Sequence, residues 1–342
     1  MNSHRYILAS SADALKSAGP FAGTVEAEYG DACVPGELAT LAHHGPRQGQ
    51  ECPCLYSGPS LPEIAHVGLS HVDLDTIGGC MRLAGYTPAS AEETLFWALA
   101  ACVDLNGPHK AQKFLDEHVG EFPNAPGYEG ERALARWSLR QEAADQAMAM
   151  IQAYWAWSQN HRVMAPREGN LDVTEQVREH MNMLLHLFME NSPQRATLLA
   201  AGEAWAEAQA SLDRESLVAE ISTPVGMLLV RSADKFVNHL YGPEGAMVLA
   251  YNPERGTVTL SREGDRVPMD CCAVMQAVFG PGAGGHAGIA GSPRDMQILA
   301  SGLRLAVYKV CLQLGTTLCS CGALCSAMEA HTPYTGNGEY CG

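Results

Sequence analysis

His71-Val-Asp73-Leu-Asp75 packs an imidazole and two carboxylates into alternate positions of one short string. At the end of a strand such a set can place hard oxygen ligands and an imidazole around divalent cations. The plainer alternative is that Asp73 caps a turn and His71 packs at the strand end. Asp104 follows the apolar run Phe96–Val103, and His109 stands five residues on. A further carboxylate and imidazole would complete a two-cation site, which polarises a phosphoryl oxygen and lowers the pKa of a bound water. Alternatively Asp104 shares a helix-ending turn with Asn106 and Gly107, and His109 lies in a surface loop. His43-His44 precede Gly45, so one ring can reach a metal while the other turns to a substrate; standing alone, such a pair suits a surface loop. The general acid is unassigned: His44 or His109 could serve, or a metal could stabilise the leaving oxygen without one.

A second kind of site is written in Gly284-Gly285-His286-Ala-Gly-Ile-Ala-Gly291-Ser-Pro-Arg294, with Gly280 and Gly282 just ahead. Glycines at this density let backbone N–H groups approach an anion, and His286 and Arg294 add charge and hydrogen bonds. A plain flexible loop needs less than this string contains. Cys319 and Cys321, with Cys325, Cys311 and Cys341 around them, lack a paired C-x-x-C spacing, so thiols fit better than a zinc site. Trp137, Tyr154, Trp155 and Trp157 fall at helical spacing and read as packing.

These residues need elements to position them. Tyr6–Ala9, Gly23–Tyr29 and Glu63–Ser70 read as strands, the last running straight into the His71–Asp75 string. Ser90 and Glu93 form a capping box for a helix over Ala91–Val103, which Asp104–His109 then breaks. Helical spacing recurs over about 130–160 and 174–217. From Ser222 the chain turns β-rich, with strands over Val225–Val230, Ala246–Tyr251 and Gly256–Ser261 and a closing helix from Arg294 to about Leu314.

A chain of 342 residues exceeds what one core usually organises, so two domains are expected: residues 1–215, and 220–342 including the cysteine-bearing tail. Hydrophobic residues at 46% and charged residues at 18% describe a folded globular chain. A formal charge of −16 disfavours a protein that coats duplex DNA, yet a small phosphorylated substrate needs only a local positive site. No apolar signal region or 18-residue apolar span is present, and the irregularly spaced cysteines suit reduced thiols, so a cytoplasmic protein without a membrane partner is expected.

The segment from Pro224 to Arg294 resembles the substrate-binding domain associated with the DHH phosphoesterases. The likeness runs through Leu228-Leu-Val230, Phe236-Val-Asn238-His239, Thr257-Val-Thr-Leu-Ser-Arg262, and Phe279-Gly280 leading into Gly284-Gly-His-Ala-Gly-Ile-Ala-Gly291. Ser70-His-Val-Asp-Leu-Asp-Thr-Ile-Gly-Gly79 is similar to the first metal-binding motif of the DHH catalytic domain. The resemblance implies an α/β fold: a doubly wound, mainly parallel catalytic sheet, a helical linker and a smaller C-terminal α+β domain. It implies two divalent cations, Mn2+ or alternatively Mg2+, with His71, Asp73 and Asp75 as ligands and a cleft between domains. Asn238, Arg262, Gly284, Gly285, His286 and Arg294 would then face a small phosphorylated or short nucleotide substrate, and a homodimer is compatible with it. The chain departs from the family in having no Asp-His-His string, and its one His-His pair precedes the first motif. Either Asp104 with His109 takes that role, or the catalytic strands are connected in altered order and His43-His44 fills it. The expected activity is hydrolysis of a phosphoester. Pyrophosphate hydrolysis, or phosphate-ligand binding on a degenerate metal site, are the alternatives.

Overall fold

Strand β1 (Arg5–Ala9) alternates between two cores: Tyr6 and Leu8 enter one, Ile7 and Ala9 the other. A strand that buries both faces must lie inside a sheet covered on both sides. The structure, a computed structural model, describes residues 3–29, 32–47, 49–106, 141–166, 168–242, 245–263, 267–285, 287–293 and 296–316. His109, His286, Arg294, Cys319, Cys321, Cys325 and Cys341 lie outside them, as does the side chain of Asp104. The chain divides into two compact units, Met1–Glu207 and Ala208–Gly342.

In the first unit, β1 is followed by helix α1 (Ala12–Ala18), β2 (Gly23–Val25), the small hairpin β3 (Glu28–Tyr29) and β4 (Ala32–Cys33), β5 (Ala39–Leu41) and β6 (His66–Leu69). Helices α2 (Leu74–Leu83), α3 (Ala91–Asn106) and α4 (Gln141–Ser158) come next, then β7 (Asn170–Asp172) and α5 (Thr174–Phe188). The main sheet has the order β5-β2-β6-β1-β7, parallel throughout except for the antiparallel edge strand β7. Leu15 of α1 packs with Phe21 on one face; α2, α3, α4 and α5 supply the core on the other. Gly68 of β6 explains how close α1 comes, because a Cβ there would sit 3.1 Å from two carbons of Leu15.

Five sequence expectations need correction, one being that the closing helix expected from Arg294 begins only at Ala300. The expected strand Gly23–Tyr29 is broken at Glu26, whose φ of 47° turns the chain out of the sheet after β2. Asp104 does not break its helix but lies in the last turn of α3, which starts as expected with Ser90 Oγ accepting from Glu93 N–H at 3.1 Å. The helical run expected over 174–217 is two helices, α5 and α6 (Arg195–Ser216), parted around Pro193, which disfavours helix in the residue before it. Finally, Leu217 opens a strand rather than closing a helix.

The second unit carries β8 (Leu217–Thr223), β9 (Gly226–Ser232), β10 (Gly245–Asn252), β11 (Thr257–Arg262), α7 (Cys271–Phe279), β12 (Gly284–Gly285), β13 (Ile289–Gly291) and α8 (Ala300–Gln313). Its sheet, in the order β12-β13-β11-β10-β9-β8, is antiparallel except for the β9–β10 pair. Leu228, Val230, Leu249 and Leu260 meet α7 and α8 on one face. Leu229, Val248 and Ala250 face Val237, Leu240 and Tyr241 on the other.

Candidate metal centre

Because β5, β2 and β6 are parallel neighbours, their carboxyl ends emerge along one edge of the sheet. The register sets Val25 level with Leu41 and Leu69, so the residues just beyond these ends are brought together: Glu26, then His43-His44, then His71. Carboxyl ends of parallel strands are where open α/β sheets bind ligands. Of the two arrangements open from the sequence, the one with His43-His44 is the one whose residues meet Asp75; Asp104 and His109 offer no side chain among the described residues.

Asp75 lies at the centre, 2% exposed in the first turn of α2. His43 Nε2 is 3.5 Å from its Oδ2 and 3.6 Å from Glu26 Oε1, and His44 Nε2 is 3.7 Å from Glu26 Oε2. The two imidazole rings are 4.0 Å apart. Cys52 Sγ lies 3.5 Å from the same Asp75 Oδ2. On the other side His71, Asp73 and Asp75 form a second donor group, with His71 Nε2 3.1 Å from Asp73 Oδ2. Three overlapping donor groups therefore run from Glu26 to His71, and Asp75 belongs to two of them.

Asp73 does both things its sequence allowed. Its Oδ1 caps α2 by accepting from Thr76 N–H at 3.1 Å, and its Oδ2 faces His71. Desolvation pushes its carboxyl up, but the His71 charge and hydrogen bonds from His71 and Thr76 hold it well below the usual carboxylate range. The Ser70 hydroxyl donates to the Glu26 carbonyl, and its oxygen lies 2.8 Å from His71 Nδ1. Having given its one proton to the Glu26 carbonyl, Ser70 accepts from Nδ1–H; Nε2 faces Asp73 Oδ2 and would have to release its proton to serve as a metal donor.

Helices α4 and α5 close the site from the side. Tyr154 O–H lies 2.8 Å from His180 Nδ1, and His180 Nε2 is 2.9 Å from the His161 carbonyl. A carbonyl accepts only, so His180 carries its proton on Nε2 and Tyr154 donates. Burial, then the nearby charges of Asp73 and Asp75, raise the Tyr154 phenol well above its usual range, and burial lowers His180, so both stay neutral.

The donor set fits divalent cations. Glu26 and Asp75 are carboxylates 1% and 2% exposed that flank one buried imidazole, and charges so placed are costly to bury unless a cation offsets them. Glu26 and Cys52 were missed in the sequence. Glu26 and Glu28 were the charged residues inside an otherwise β-like run, and Cys52-Pro53-Cys54 stands in the segment ahead of β6, the strand that leads into His71.

In the second unit the expected substrate residues serve the fold more than an open surface. Asn238 is 6% exposed and its amide donates to the Thr259 carbonyl at 3.4 Å. Arg262 Nε donates to the Ala287 carbonyl at 3.1 Å. Gly285, at φ 145°, is required by the hairpin itself, since a Cβ there would meet the Ile289 carbonyl oxygen at 2.3 Å. Gly284 is exposed with open space where a Cβ would lie.

No family model and no curated protein matches the chain. Among solved structures it is similar to RecJ from Thermus thermophilus in complex with Mg2+, at TM-score 0.36 and 13% identity over 71% of this chain; it spans 37% of that chain. It is similar to an exonuclease RecJ bound to manganese, at TM-score 0.36 and 11% identity over 82% of this chain and 70% of that one. An uncharacterized protein from Helicobacter pylori follows at TM-score 0.22 and 12% identity, covering 74% and 76%. At such scores the activity has to be argued from the chain's own residues.

Proposed function

We propose that the first unit hydrolyses a phosphoester bond in a small nucleotide-like or otherwise phosphorylated substrate, using two divalent cations, Mn2+ or Mg2+. The observation that carries this reading is the position of Asp75, buried and shared between a donor group with His71 and Asp73 and another with His43. One cation would draw on His71, Asp73 and Asp75, the other on His43 with Asp75 or with Glu26. When bound, the pair neutralises phosphate charge and activates water for attack on phosphorus. The chain's own residues supply the rest. Ser70 fixes the tautomer that presents His71 Nε2. His44, with 43% of its side chain exposed beside Glu26, is the group placed to carry a proton to the leaving oxygen. Tyr154 stays a neutral donor at the flank. In the second unit Arg262, Gly284, His286 and Arg294 are proposed, from the sequence resemblance, as phosphate-binding residues.

The test combines metal stoichiometry by equilibrium dialysis with turnover of a chromogenic phosphodiester, a dinucleotide panel and pyrophosphate in Mn2+ buffer. Two bound ions and turnover that Asp75→Asn abolishes are expected; product analysis on pyrophosphate separates the two hydrolase readings. Ala42 favours a second reading, because it stands where the family's Asp-His-His string would begin. A protein that only binds phosphate ligands would be stabilised by them with no turnover, and that result would replace the enzyme reading.

A further inference from the structure

We infer that Cys52 is a sulfur ligand of the cation held by His43 and Asp75, so that this half of the centre is built for a softer metal, Zn2+ above all, and not for Mn2+ alone. The inference rests on the metal-centre reading above and deepens it. Cys52 Sγ, His43 Nε2 and an Asp75 carboxylate oxygen all lie within 4.8 Å of one another, and all three residues are buried. Sulfur, imidazole nitrogen and carboxylate oxygen together make a donor set that zinc and its borderline relatives accept and that hard cations use poorly.

Sequence features that otherwise lack a purpose converge on this placement. The turn Pro53–Leu55 packs Cys52-Pro53-Cys54 against α2, the helix that carries Asp75, at two consecutive glycines. A Cβ on Gly79 would lie 2.8 Å from Pro53 Cβ, and one on Gly78 only 2.4 Å from Cys54 Cβ. Consecutive glycines inside a helix are unfavourable by propensity, so their presence reports how close the turn must come. Arg82, one turn further along α2, fastens it by donating from Nε to the Cys54 carbonyl at 3.0 Å. The two thiols lie 3.6 Å apart but differ in their other partner: Cys54 Sγ is directed to the Trp97 carbonyl at 3.5 Å, whereas Cys52 Sγ meets the Asp75 carboxylate. Ligation releases the Cys52 proton to solvent and leaves the sulfur as thiolate.

Cobalt(II) titration of the whole protein reads this directly, because sulfur bound to cobalt gives a near-ultraviolet charge-transfer band that oxygen and nitrogen donors do not. The band is expected in the wild type, retained in Cys54→Ser, lost in Cys52→Ser, and bleached by added Zn2+. Should Cys52→Ser fail to fold, X-ray absorption of the zinc-loaded wild type answers the same question through a sulfur scatterer at about 2.3 Å. Cobalt bound at the expected stoichiometry without the band, or zinc without the scatterer, overturns sulfur ligation and leaves the metal centre standing. Absence of any bound cobalt or zinc overturns both.

Discussion

Glu26 concentrates two unfavourable features in one residue, a left-handed backbone at φ 47° and a carboxylate only 1% exposed. A non-glycine residue held there costs on the order of 1–3 kcal/mol, and such positions gather where function demands them. Glu26→Gln keeps the shape and removes the charge. Its metal-free melting temperature should match or exceed that of the wild type, since one of two neighbouring buried charges is gone, while Mn2+ affinity should fall by roughly tenfold or more. Calorimetry with and without metal checks both signs, and a lower metal-free melting temperature with intact affinity would make Glu26 structural. A second residue gives a pH signature. Burial, with the Arg231 charge adding to it, lowers the His239 imidazole to about 4. Because the folded value lies below the unfolded one near 6.5, stability is complete above about pH 6.5 and is lost as pH falls toward 4, in total by on the order of 3 kcal/mol. Urea unfolding of His239→Gln between pH 7 and 5 should show a flatter profile than the wild type. The site was half legible in the sequence. Asp73 and Asp75 announce themselves by spacing, and His43-His44 by adjacency. Glu26 and Cys52 do not, because only the parallel pairing of strands distant in sequence gives them their neighbours.

At the scale of the element, α2 is the hinge between sequence and site. Alanine raises helix propensity over glycine by roughly 1 kcal/mol, yet a Cβ at Gly79 would stand 2.7 Å from Val25 Cγ1 and 2.8 Å from Pro53 Cβ, and overpacking of that kind costs about 1–3 kcal/mol. Overpacking should win. Gly79→Ala is expected to unfold at lower urea and to bind metal more weakly as the Cys52 turn shifts. Gly302→Ala in α8, where the nearest atom is Ile298 Cγ2 at an ordinary 3.4 Å, should instead gain a few tenths to 1 kcal/mol. The same substitution with the same sign at both positions would mean that propensity, not the packing of α2, governs Gly79. The elements that could be read in advance were those that appear as compact apolar or β-branched runs: β1, β6, β9, β10 and β11, the first four buried over most of their length. Edge strand β7 was missed because none of its three residues is buried, so no apolar pattern marks it. β8 was missed because it follows α6 without a breaking residue between Ser216 and Leu217. The end of α3 was misplaced because Asp104 and Asn106, poor helix formers, read as a stop while the helix carries on through them.

For the whole molecule the decisive quantity is charge. A chain at −16, part of that charge lying in the carboxylates of the candidate centre, repels phosphates at long range, so attraction to a phosphorylated substrate would have to be local and metal-dependent. On the small-substrate reading the chain should differ from proteins that grip long nucleic acid through arrays of lysine and arginine, whose affinity falls with salt by a slope of roughly 0.7 for each phosphate contacted on a single strand. A fluorescent dinucleotide should not bind in EDTA and should bind on addition of Mn2+ or Zn2+. A long single-stranded oligonucleotide should bind no more tightly than the dinucleotide by more than the number of its ends or sites explains, with a salt slope below about 1.5, equivalent to about two ionic contacts. A slope of several, persisting in EDTA, would mean that a cationic track binds the strand without the metal centre, and the small-substrate reading would give way to one in which the chain acts along a polymer.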